Sequence, residues 1–143
     1  MSEIKRSGAE NGMHQAAMWL TGHGISLFGS RILGVRGRKS GQTRFALVNL
    51  LEVDGKHYLV APRGQTQWAC NLRAAGEAEI KLGKRVEGFR VVELADDEKP
   101  ALLRAYLKRW GWQVNQFFDG VTAKSTDEEL LRVAPSRPIF RLS

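Results

Sequence analysis

Apolar residues near the start of the chain recur at helical spacing. Met13, Ala16, Ala17 and Leu20 share one face of "GMHQAAMWL" and predict a short amphipathic helix ending at Thr21 or Gly22. Beyond it the period drops to two. "RILGVRG" reads as a first strand and "TRFALVNLLEV" as a longer second one, with Phe45, Leu47 and Leu51 on one face and Ala46, Val48 and Leu50 on the other. A strand apolar on both faces is expected to be covered on both sides. Asn49 shares the face of Leu47 and Leu51, so it needs hydrogen-bond partners if it points inward.

Asp54-Gly55 separates "LLEV" from "KHYLVA", a two-residue connection suited to a type I′ hairpin. Pro62 closes the third strand, because it brings no donor to a ladder. "TQWACNLRAAG" reads as a short helix with Trp68 and Leu72 four apart on one face and Gly76 just past its end. "EAEIKLG" and "RVEGFRVVEL" form a second hairpin around Gly83-Lys84. The helical period then returns in "ADDEKPALLRAYLKRWG": Leu103, Tyr106, Leu107 and Trp110 make the stripe, acids open it, and Lys108 and Arg109 close it in accord with the helix dipole. Ser125 and Glu128 are expected to form a capping box for a further helix, and "RPIFRLS" supplies a last strand. Short strands joined by tight hairpins predict an antiparallel sheet closed into a small barrel, an α+β fold in one domain over residues 1–143.

Composition narrows the partners. With 43% hydrophobic and 26% charged residues among 143, the chain is an ordinary globular one, and its net charge of +7 favours anionic partners. A single cysteine, Cys70, rules out an internal disulfide and fits a reducing compartment. His14, His23 and His57 lack metal-ligand spacing, so no structural metal is expected. No apolar stretch resembles a signal peptide or an integral membrane segment, and a cytoplasmic location is expected.

Two clusters carry candidate chemistry. In "RGRKSGQTR", residues 36–44, Arg36, Arg38, Lys39 and Arg44 surround Ser40 and Gly41 in a tight connection. Outward-turned amides and converging cations there suit a phosphate or carboxylate, although a solvated basic tip that protects a sheet edge explains them equally well. In "APRGQTQWACNL" a strand end, Arg63 and Gly64 precede a helix N-terminus, a local geometry that favours negative charge. Tyr106, Trp110, Trp112, Phe117 and Phe118, with Trp19 and Phe28, either pack the core or wall an apolar pocket; Trp19, Trp112 and Phe118 are the candidate contacts for a substrate. No Ser/His/Asp set, carboxylate pair, Cys/His pair or phosphate-binding P-loop can be assembled. An enzyme built from this sequence therefore relies on a bound cofactor.

"GRKSGQTR", an apolar strand, a D-G hairpin, a strand ending in "VAPRG" and then "QWACNLRA" together resemble the deazaflavin-dependent nitroreductase family, over about residues 31 to 95. The resemblance implies a split β-barrel of the FMN-binding type, with an N-terminal helix and packing helices, that transfers hydride from reduced coenzyme F420. Acceptors in that family are electron-poor: activated enones, unsaturated lactones of the coumarin type, quinones and nitroaromatics. Arg38, Lys39, Ser40 and Arg44 would hold the phosphate and oligoglutamate tail. Ala46, Val48 and Asn49 would line the ring site, while Ala61, Pro62, Arg63, Gly64, Gln67, Trp68 and Asn71 would hold the ring and its polyol chain. The family commonly has a serine, a basic residue and paired glycines after the third strand. Here Pro62 stands in place of the serine, Arg63 keeps the charge and Gly64 alone remains.

Three other readings compete. An FMN-binding split-barrel protein would retain FMN and be yellow. A non-catalytic lipid binder would use the Trp19 helix in peripheral membrane contact. Nucleic acid ranks last, because the sheet lacks the interleaved aromatic and basic residues of a strand-binding surface. The partner expected is a small-molecule electron acceptor, met by a monomer or a homodimer.

Overall fold

The computed structural model describes residues 30–143. The helix expected over residues 13–20, and with it Trp19, lies outside the described residues. Six strands follow in chain order: β1 (Ser30–Arg36), β2 (Thr43–Val53), β3 (Lys56–Val60), β4 (Glu77–Leu82), β5 (Arg85–Glu93) and β6 (Ile139–Leu142). Helix α1 (Gln67–Ala75) lies between β3 and β4, and helices α2 (Pro100–Val114) and α3 (Asp127–Val133) lie between β5 and β6. The strands pair in the ring order β1-β2-β3-β6-β5-β4, a closed antiparallel barrel. The β2–β3 hairpin takes the expected turn, with φ of 52° at Asp54 and 77° at Gly55, the two positive values a type I′ turn demands.

The described residues divide into two compact units, residues 30–50 with 66–91 and Ser143, and residues 51–65 with 92–142. In the first, Leu33 of β1 stands opposite Ala46 of β2 on one side and Ile80 of β4 on the other, and all three are buried. Helix α1 lies against β1 and β4 through Trp68, Ala69 and Leu72, so Trp68 is core, and Gly76 ends the helix by donating its amide to the Leu72 carbonyl. β2 departs from its expectation here. Ala46 and Val48 are buried, whereas Phe45 is 41% exposed and Leu47 half-buried. Successive residues of a strand point to opposite sides, so with Ala46 and Val48 turned inward Phe45 and Leu47 face the other way, where the cross-strand partner of Phe45 is Gly34. Phe45 folds over that glycine, to within 3.1 Å of where a Cβ would sit, and the rest of its ring meets water.

The second unit is built around α2. Leu102, Leu103, Tyr106, Leu107, Trp110 and Val114 are all buried in one cluster with Leu51, Tyr58, Phe118, Leu130 and Ile139. The Tyr106 and Trp110 rings lie 5.1 Å apart. The acids expected to open this helix instead form a 3-10 turn, Asp96–Glu98, and the helix starts at Pro100, whose missing N–H is harmless in a first turn. Buried Lys99 joins the two: its Nζ donates to Asp96 Oδ1 at 2.9 Å and to the Ala134 carbonyl at 2.7 Å. The helix also runs past Trp110 to Val114, because Val114 adds one more apolar position to the stripe.

The capping box of α3 sits one residue later than expected. Thr126 Oγ1 accepts from the Glu129 amide at 3.2 Å and Glu129 Oε1 accepts from the Thr126 amide at 2.9 Å. Ser125 instead accepts from the Thr122 amide at 2.8 Å and closes the preceding turn. Among the described residues, no helix is long and apolar enough to cross a membrane.

Candidate functional site

The cationic stretch is the β1–β2 connection, a tight loop closed by the Gly37 amide donating to Gln42 O at 2.8 Å and the Gly41 amide donating to Gly37 O at 2.9 Å. Its four cations have different fates. Arg38 turns onto α1: its amide donates to Asn71 Oδ1 at 3.1 Å, and its Nη1 donates to the same oxygen at 2.6 Å and to Gln67 Oε1 at 3.0 Å. Asn71 is 5% exposed, so this oxygen is a buried acceptor fully used by one residue. Arg44 Nη2 leans on Ser40 Oγ at 3.4 Å, and the Gln42 amide donates to that oxygen at 3.2 Å. The hydroxyl accepts twice and keeps its own proton for an anion. Arg36 and Lys39 are exposed and have no partner among the described residues.

This loop forms one wall of a cleft of about 1160 Å³ that also takes in Ala74, Ala75, Glu77, Glu79, Gly88 and Arg90. The structure thus brings Arg38, Lys39 and Ser40 together at one cleft and joins Arg38 to Gln67 and Asn71. Arg44 touches the loop through Ser40, but Ala46, Val48, Asn49, Gln67, Trp68 and Asn71 do not line the cleft. Ala46, Val48 and Trp68 are buried packing residues. Glu77 and Glu79 stand in the same cleft, so its positive charge is concentrated on the loop side.

In the second unit, the segment after β3 turns sharply. The Gly64 amide donates to Ala61 O at 3.1 Å and Gly64 has φ of 86°, a left-handed conformation that L side chains resist. A Cβ there would also meet the Ser136 carbonyl at 3.1 Å. Pro62 continues directly from the strand end, and Arg63 places its guanidinium 5.0 Å from the centre of the Phe117 ring.

Two candidate substrate contacts sit in unequal places. Trp112 is 64% exposed, with its indole N–H donating to Arg109 O at 3.1 Å. Phe118 has no exposed surface and packs 6.2 Å from Tyr106, so it belongs to the core and not to an open wall. Sequence reasoning missed Arg137 altogether. It is buried, and no local pattern marks it, because its partners Phe117 and Asp119 lie 20 and 18 residues back in the chain.

The family model of the F420H(2)-dependent quinone reductases matches residues 10–128. The chain belongs to that family. It is accordingly an F420H2-dependent reductase, and reduced coenzyme F420 is its cofactor. Comparison with curated proteins finds no match. Among solved structures, an F420-H2 dependent reductase, FDR-A, is 18% identical with a TM-score of 0.53, over 80% of this chain and 94% of its own. A chain described as a domain-swapped dimer is 17% identical with a TM-score of 0.57, over 94% of this chain and 92% of its own. A NimC/NimA family protein from Clostridium acetobutylicum is 16% identical with a TM-score of 0.53, over 92% and 82%. These likenesses bear on the fold, a split barrel.

The residues of this reductase fit its cofactor. A polyanionic tail needs cations that are not already neutralised, and among the described residues Arg36 and Lys39 have no partner and stand near the Ser40 hydroxyl.

Proposed function

We propose that this reductase delivers hydride to a quinone, with activated enones, unsaturated lactones and nitroaromatics as weaker acceptors, and that the β1–β2 loop anchors the coenzyme tail. The observation that carries the reading is the split among the loop cations. Arg38 fastens the loop to α1, while Arg36 and Lys39 on the same loop have no partner among the described residues. A cation pair fixed by a third residue binds an anion without first losing the entropy of a free loop.

When bound, the reduced deazaflavin supplies a hydride. The chain's own residues bind and orient. Arg36, Lys39 and Arg44 neutralise tail carboxylates and phosphate, and Ser40 donates its hydroxyl proton to one of their oxygens. Arg63 and Gly64 meet the coenzyme through a guanidinium and an amide-bearing turn that no side chain blocks. A quinone needs one hydride and one proton to become a hydroquinone. Pro62 has no proton to give, so this segment leaves the proton to water. Residues 1–143 act as one reductase domain, and a reducing cytoplasm suits both its cofactor and its single cysteine.

Titrating oxidised F420 and FMN separately, with tryptophan quenching as the readout, tests the reading. F420 is expected to quench saturably, and the double variant Arg36→Ala/Lys39→Ala to raise its Kd about tenfold or more, on the scale of one to two charge-assisted hydrogen bonds. Saturable quenching by FMN with none by F420 would overturn the assignment. An unchanged F420 affinity in the double variant would move the tail elsewhere.

A further inference from the structure

Arg137 is a buried cation with a poor ionic partner. Its side chain is 10% exposed, and its one carboxylate contact, Asp119 Oδ2 at 3.3 Å, belongs to a group that is 72% exposed. Such a pair contributes little, and burying a guanidinium is costly unless other groups satisfy it. Those groups are two backbone carbonyls and one hydroxyl. Nη1 donates to Ser136 Oγ at 2.7 Å and to Ser136 O at 3.2 Å, and Nη2 donates to Phe117 O. The guanidinium lies 5.3 Å from the centre of the Phe118 ring, and its Nε has no partner. Arg137, directly before Pro138, has φ −125° and ψ 85°, outside the helical region that a following proline disfavours.

The two carbonyls that Arg137 holds are not arbitrary. Phe117 carries the ring that sits under the Arg63 guanidinium, 5.0 Å away. The Ser136 carbonyl is the atom 3.1 Å from the Cβ position of Gly64. One buried cation therefore fixes both surfaces against which the Arg63–Gly64 turn rests. We infer that Arg137 is a positioning residue for coenzyme binding, setting the Arg63 guanidinium and the Gly64 turn through Phe117 and Ser136. This rests on the assignment of Arg63 and Gly64 to the coenzyme. An apolar side chain of similar volume would satisfy packing at this position but would release both carbonyls.

Arg137→Met, Arg63→Ala and their double variant test the inference, with F420 Kd from fluorescence titration beside thermal unfolding of each protein. Arg137→Met is expected to raise Kd about tenfold, Arg63→Ala by a similar factor, and the double variant by no more than the larger of the two, because the first acts through the second. Multiplying effects, or an unchanged Kd in Arg137→Met beside a raised one in Arg63→Ala, would overturn the inference and leave the Arg63 assignment standing. An unchanged Kd in Arg63→Ala would remove that assignment itself. If Arg137→Met does not fold, Phe117→Leu withdraws the ring beneath Arg63 without touching a buried charge. It is expected to raise Kd several-fold and to add nothing to Arg63→Ala, and an unchanged Kd would overturn the inference.

Discussion

Arg38 and Arg137 are both arginines committed to intramolecular bonds, yet their surroundings differ. Arg38 sits at the rim of a cleft, and its partners are the side-chain oxygens of Gln67 and Asn71 on a neighbouring helix. Arg137 is sealed in, and its main partners are backbone carbonyls and one hydroxyl. The first joins a loop to a helix and leaves neighbouring cations exposed for a ligand. The second is largely shielded from solvent and ties the Phe117 and Ser136 carbonyls together. Positive charge thus serves two purposes here, and burial distinguishes them better than sequence position does.

The sharpest way to break the comparison is to empty the space against Arg137. Phe118→Ala removes a fully buried ring beside the guanidinium, and a loss of about 4 kcal/mol in urea unfolding is expected, as for other buried phenylalanines. A stable variant with only a raised KM for the quinone would instead return Phe118 to the substrate wall.

At the rim the expected loss is smaller. Asn71→Ala deprives the Arg38 amide and guanidinium of their shared acceptor, which should cost about 2 kcal/mol of stability, the scale of a bond to a charged group left unmade. Coenzyme affinity should fall as well, because the loop that carries Arg36 and Lys39 is no longer held. A variant that loses stability but binds F420 as before would show that Asn71 is packing alone.

The same contrast explains what the sequence made legible. Among the described residues, the strand and helix periods, the Asp54-Gly55 turn and the Gly76 stop are local features, and they read correctly because each depends on near neighbours. The sidedness of β2 did not, since a strand apolar on both faces does not say which face is buried, and Gly34, over which Phe45 lies, is eleven residues away and placed by register alone. The cationic loop stood out as a cluster, but not which cation it would use internally, because Asn71 lies 33 residues from Arg38. Arg137 was silent for a similar reason: its partners Phe117 and Asp119 lie 20 and 18 residues back, so nothing local sets it apart.

The smallest effect concerns a group that only neighbouring residues tune, the Glu129 carboxyl at the start of α3. The Thr126 amide, then the Thr126 hydroxyl, and last the charge of Arg132 hold it below its ordinary value of 4.5, against a weak opposing effect of burial. Because the folded group is the stronger acid, its stabilisation is fully present above the unfolded value and is lost as pH falls through the folded one. Glu129→Gln keeps the shape of the capping box but cannot ionise, so it should unfold slightly below the parent at pH 7 and level with it well below pH 4. Thermal unfolding of both proteins across that range checks it. A difference that persists undiminished in acid would mean that the carboxylate's charge is not what stabilises the cap. In that case the one-residue shift of the cap, from Ser125 and Glu128 to Thr126 and Glu129, would rest on the threonine alone.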